Sequence, residues 1–87
     1  MKRIVLGRNE VLQGQTFDED VEIVMDLESV VKNCTFLKNV VVRVTKNVNW
    51  NEPWTRMPRF ENNIVKGHIR LDPLVVFMGN VVSLSIP

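Results

Sequence analysis

An all-β fold is what this sequence predicts, on three observations: a surplus of β-branched residues, apolar and polar residues alternating with a period of two, and a faint internal repeat with a step of 19 residues. The 87 residues include 16 Val, 5 Ile and 4 Thr, with no Ala and no Tyr. Side chains branched at Cβ are stiff and pack well on a pleated surface, while Ala, the strongest helix former, is missing. Apolar residues make up 45% and charged residues 24%, ordinary globular proportions that exclude a disordered chain. One small domain over residues 1–87 follows from the length. A domain this short buries only about 60% of its unfolded surface and usually leans on a staple or a partner. The single Cys34 excludes an intrachain disulfide, and with the single His68 it cannot make a structural zinc site.

Along the chain, Ile4-Val5-Leu6 reads as a short strand placed to cover one end of the fold. The segment from Gly14 to Val24 then aligns with the segment from Asn33 to Arg43, setting Thr16 on Thr35 and Phe17 on Phe36. A third copy begins at Asn62-Asn63-Ile64-Val65 and a fourth at Phe77-Met78-Gly79-Asn80, the last after a shorter step of about 16 residues. Between the second and third copies lies Asn47 to Arg59, an insertion of about ten residues rich in Trp and Pro. Turns are expected at Lys38-Asn39-Val40, Lys66-Gly67-His68 and Gly79-Asn80-Val81, because Asn and Gly tolerate left-handed backbone. Val40, Val42 and Val44 should face one way and Val41, Arg43 and Thr45 the other; Ile69 and Leu71 should oppose Arg70; Val82, Leu84 and Ile86 should oppose Ser83 and Ser85. Val21 to Val31 has some helical spacing, but its β-branched content favours strand.

Asn33-Cys34-Thr35-Phe36 with Asn39, Phe60-Glu61-Asn62-Asn63-Ile64-Val65 with Gly67, and Phe77-Met78-Gly79-Asn80 resemble coils of the right-handed parallel β-helix. The resemblance covers Val11 to Ile86 apart from the Trp-containing loop, and implies a short parallel β-helix of about four coils with one inserted loop, 47–59. A small antiparallel sandwich or barrel is the alternative, since Asn, Gly and alternating valines also describe a meander with tight turns. Similar solenoids occur in phage tail and fibre proteins and in end-to-end filaments, so the resemblance implies a phage-type protein that self-associates. Two open solenoid ends point the same way, and Pro87 would close the last strand with a residue lacking a backbone donor.

Charge is unevenly spread although the net value is +1. Seven acids and no Lys or Arg lie between Asn9 and Val31, while basic residues dominate from Lys32 onward. Complementary surfaces between copies would follow, or acidic and basic strands lying side by side within one subunit. The patch Asp18, Glu19, Asp20 and Glu22 reads as a solvated acidic turn without the glycine-bearing spacing of a calcium loop, so no metal is expected.

The loop supplies the candidate site. Lys46, Trp50, Trp54, Arg56 and Arg59 combine the residue types most enriched at binding hot spots. They suit a recognition loop for a protein partner, with a sugar ring as a second target; single-stranded nucleic acid fits poorly with the acidic segment. In the opposing reading Trp50 and Trp54 fold back as a lid on the sheet. No catalytic residues and no cofactor are expected: His68 lacks triad partners, and Cys34, though near Lys32 and Lys38, reads as a buried residue beside Phe36. The basic start is followed by only three apolar residues, and no run approaches the roughly 20 of a membrane span. A non-enzymatic binding protein is the expectation, cytoplasmic or virion-borne, blocking a host factor or serving as a structural module of a virion or filament, with carbohydrate binding as a further alternative.

Overall fold

Alternation with a period of two gives each strand an apolar face, and stacking the copies of a repeat buries those faces against one another. In the computed structural model, which describes residues 1–83, this produces twelve strands in four coils. The first coil holds β1 (Lys2–Val5), β2 (Val11–Gln13) and β3 (Thr16–Phe17); the second holds β4 (Val21–Met25), β5 (Val30–Lys32) and β6 (Thr35–Phe36). The third holds β7 (Val40–Val44), β8 (Arg59–Glu61) and β9 (Ile64–Val65); the fourth holds β10 (Ile69–Leu71), β11 (Val76–Met78) and β12 (Val81–Val82). They form three sheets: sheet A is β1-β4-β7-β10, sheet B is β2-β5-β8-β11 and sheet C is β3-β6-β9-β12. Every strand pair among the described residues is parallel, so the molecule is a parallel β-solenoid and the antiparallel sandwich or barrel is excluded. No described helix is long and apolar enough to cross a membrane.

The repeat read from the sequence is the register of the solenoid. Thr16 lies opposite Thr35 and Phe17 opposite Phe36. The helical spacing of Val21 to Val31 resolves into two strands, β4 and β5, around a corner. Two expectations need correction. Ile4-Val5-Leu6 is not a cover: Lys2–Val5 pairs along β4 as the first strand of sheet A, leaving its other edge open. The inserted segment ends earlier than expected, because Arg59 already opens β8. Leu84, Ser85, Ile86 and Pro87, expected to finish the last strand, lie outside the described residues.

The left-handed positions also differ from those expected. Gly14 (φ 69°), Asn33 (54°), Asn62 (56°) and the expected Gly79 (69°) stack at the corner between sheets B and C once in every coil, and Asn9 (65°) and Glu28 (60°) are left-handed at the corner between sheets A and B. Asn39 and Gly67 sit at the corner between sheets C and A without positive φ; Asn39 accepts the His68 N–H at 2.9 Å instead. Gly67 is required by proximity, since a Cβ there would lie 2.5 Å from the Lys38 carbonyl carbon.

The interior is a stacked column. Phe17 stacks on Phe36 with ring centroids 5.2 Å apart, Phe36 on Phe60 at 5.8 Å and Phe60 on Phe77 at 5.8 Å. Val21, Ile23, Met25, Val40 and Val42 line the sheet A side, buried as their alternation requires. Just after the left-handed corner, Asn63 is 1% exposed and bonded through both amide atoms: its Oδ1 accepts the Cys34 N–H at 2.9 Å and its Nδ2 donates to the Val31 carbonyl at 3.0 Å. Asn80 repeats this a coil later, accepting from Asn63 N–H at 2.9 Å and donating to the Phe60 carbonyl at 2.8 Å. A buried amide that loses its partner costs about 1–3 kcal/mol. Asn63→Ala takes the partner from the buried Cys34 N–H, so a loss of about 1–3 kcal/mol is expected in urea unfolding; a loss below about 0.5 kcal/mol would show that this ladder does not hold the coils.

Candidate functional site

The corner between sheets A and B is short in three coils and expanded in the third, where residues 45–58 connect β7 to β8. Its base is apolar: Val48 and Met57, at 4% and 7% exposure, pack with Leu27 of the coil above and Leu74 of the coil below. Polar contacts fix its path. Asn47 Nδ2 donates to the Asp26 carboxylate at 3.3 Å, Asn51 N–H to Asn49 Oδ1 at 2.9 Å, and Glu28 N–H to the Arg56 carbonyl at 2.9 Å. A single 3₁₀ turn, Trp54–Arg56, follows the extended Pro53.

With the base secured by Val48, Met57 and Leu27, the tryptophans are spared for the surface. Trp50 is 78% exposed and Trp54 75%, which overturns the lid reading. Trp50 and Trp54 line one open groove of about 220 Å³ together with the buried Met57 and with Pro73, Leu74, Val75 and Val76 of the fourth coil. Glu52 is its one charged lining residue, and Arg56 donates to it at 3.0 Å.

The cations expected beside the tryptophans are dispersed. Arg56 binds Glu52 and lies 3.9 Å from Glu28. Arg59 borders a separate cleft with Asn9, Glu28 and Thr55, and its guanidinium is 4.0 Å from Glu61. Lys46 is exposed in the turn leaving β7 and lines neither space. The structure thus unites Trp50 with Trp54 and leaves Lys46, Arg56 and Arg59 outside their groove. The apolar far wall was missed in the sequence, although the repeat places Asp72 to Val75 at the corner that the loop occupies one coil earlier.

The acidic patch is divided as well. Asp18 and Glu19 are exposed at the first corner between sheets C and A, and Asp20 accepts the Asn39 N–H at 3.1 Å. Glu22 lies on the outer face of sheet A between Arg43 at 2.7 Å and Arg3 at 2.9 Å, and these guanidiniums, Arg43 foremost, hold its carboxyl below the usual range. Acidic and basic strands therefore meet within the subunit on this face. Among the described residues no three His, Cys, Asp or Glu side chains group as a metal site. Cys34 is buried, and burial pushes its thiol up rather than towards a reactive thiolate.

These features define a class, a short three-sided parallel β-solenoid with one expanded corner. Comparison with protein-family models, with curated proteins and with solved structures found no match.

Asp26 ties the loop to the body and gives it a pH dependence. Partial burial acts to raise its pKa, but hydrogen bonds from the Leu27 N–H, Asn47 and Thr45 outweigh this and hold the carboxyl below the ordinary 3.8. A carboxyl depressed by folding adds stability above its unfolded pKa, and that stability is lost as pH falls through the folded value. Asp26→Asn should therefore melt below wild type at neutral pH, with the gap closing as the pH drops below 3.8. Melting curves across that range check it; a gap unchanged in acid would mean that the Asp26 charge does not hold the loop.

Proposed function

We propose that this protein acts by contact rather than catalysis, as a small binding module that takes a protein partner in the groove bordered by Trp50 and Trp54. The observation that carries this reading is the exposure of both rings on a loop whose own core and hydrogen bonds do not need them. Exposed aromatic surface on a pre-ordered loop lowers the entropy cost of binding, and Trp is the residue most enriched at binding hot spots. Stable monomers seldom leave a contiguous apolar patch without a use.

The walls favour protein over sugar and nucleic acid. Sugar recognition needs polar groups converging on ring hydroxyls, and the groove offers only Glu52, already held by Arg56. Nucleic acid needs free cations beside the stacking rings. Here Arg56 and Arg59 face Glu52, Glu28 and Glu61, and Lys46 stands apart. The phage-type resemblance accords with a protein that works by occupying a host factor, and no individual residue carries that narrower reading.

Trp50→Ala with Trp54→Ala separates contact from packing. Because each ring is about three-quarters exposed, the double variant should keep wild-type stability within about 1 kcal/mol. Capture of a partner from host extract should fall by about 30-fold or more, the scale of a hot-spot loss of about 2 kcal/mol. Unchanged capture, or collapse of the fold in the variant, would overturn the proposal.

A further inference from the structure

We infer that copies of this chain add end to end, the last coil of one continuing into the first coil of the next with all three sheets in register. The evidence lies at the solenoid ends and is independent of the tryptophan groove. At the tail, Phe77 is 40% exposed and Val82 43%, whereas their register partners Phe60 and Val65 one coil earlier are fully buried. Phe77 is the last ring of the phenylalanine column and the most exposed of the four. Strands β11 and β12 carry no charged residue, and their outward side chains Met78 and Val81 are 52% and 57% exposed. Open edges are normally blunted by Lys, Pro, a bulge or an inward charge, and these two lack such guards.

The head offers a matching surface. Strands β2 and β3, Val11–Gln13 and Thr16–Phe17, are likewise uncharged. Continuing the register sets Phe77 over Leu12 of the next copy, Met78 over Gln13 and Val81 over Thr16, and stacks the left-handed Gly79 over the left-handed Gly14. A Cβ at Gly14 would meet nothing within 4 Å, so that corner is open to an arriving coil.

The main chain is also complementary. Alternate residues of a parallel strand turn their N–H and C=O to opposite neighbours. Val76 N–H bonds the Pro58 carbonyl and Asn62 N–H bonds the Met78 carbonyl, which directs the backbone groups of Phe77 to the open side. At the head, Val30 N–H bonds the Glu10 carbonyl and Gly14 N–H bonds the Lys32 carbonyl, which leaves Val11 and Gln13 facing outwards. Phe77 N–H then donates to the Val11 carbonyl of the added copy, and the Phe77 carbonyl accepts from its Gln13 N–H.

A second copy of this chain, tail to head, is the occupant that preserves these matches. A two-fold tail-to-tail pair reverses strand direction and sets sheets of unlike length against each other, so it keeps neither the ladder nor the column. In sheet A the junction places Arg70 opposite Arg3, with Asp72 two residues along to offset the like charges. A heterologous contact of this kind has no built-in end.

Two blocked variants test the geometry. Val82→Lys puts an inward charge at the tail that reaches water only while the end is free, and Gln13→Pro removes the outward donor at the head. Light scattering across micromolar to millimolar protein should show wild-type mass rising continuously and each variant holding the monomer mass. An equal mixture of the two folded variants should give a species of twice the monomer mass and nothing larger. Circular dichroism first verifies that each variant folds; should Gln13→Pro fail, Thr16→Lys blocks the same end. Wild type staying monomeric throughout, or either blocked variant dimerising alone, would overturn the inference.

Discussion

The structure depends most on the left-handed residue at the corner between sheets B and C. A three-sided coil has to turn sharply within two or three residues, and at this corner the turn requires positive φ in every coil. Gly14 and Gly79 adopt it freely, and Asn33 and Asn62 are the residues with a side chain that tolerate it best. In the third and fourth coils the next residue, Asn63 or Asn80, bonds main-chain groups of the preceding coil. This combination fixes register from the second coil to the fourth: a slip of one residue there would turn the apolar face outwards and break the amide ladder together. Phenylalanine stacking is a consequence. Phe36 sits in sheet C and Phe60 in sheet B, yet their rings meet because the corner between them holds the two strands at fixed phase.

Such local locking explains how a coil absorbs ten extra residues. Loop closure entropy grows slowly with length, so a longer connection costs little if both ends re-enter the ladder. The third coil does this through Val48 and Met57, which fill the place that single leucines hold at neighbouring corners, and through Asp26, which grips Asn47 from the coil above. Trp50 and Trp54 are no part of those anchors. The tryptophans are consequently on the surface of a well-held loop instead of inside the core, even though a domain this small has little other surplus of large apolar side chains.

Much of this was legible in the sequence because a solenoid writes its register as a repeat. Thr16 on Thr35, Phe17 on Phe36 and the inward valines of β7 could be read directly, since period and step are one-dimensional properties. What could not be read was coupling across coils. Asn33 and Asn39 look alike in the chain, yet one carries the left-handed turn and the other accepts a bond from a residue 29 positions later. Arg56 looks available for a phosphate until the coil above brings Glu28 beside it. The choice between lid and recognition loop rested on whether anything else could fill the corner, and the leucine that does so, Leu27, belongs to a different coil.

Small size shapes both surfaces in different ways. Four coils give a core whose terminal layers are a large share of the whole, and in the last of them the inward Phe77 and Val82 are 40% and 43% exposed where their partners one coil earlier are buried. That deficit lies along the solenoid axis and is common to every short unit of this architecture. The tryptophan groove lies to the side, at the corner between sheets A and B, and owes nothing to the deficit: its anchors are buried and its rings could be trimmed without opening the core. An axial surface built from the repeat itself is suited to another copy of the same chain. A lateral surface built from the one segment that breaks the repeat is suited to something different, so the proposed division between self-contact and foreign contact follows the division between repeat and insertion.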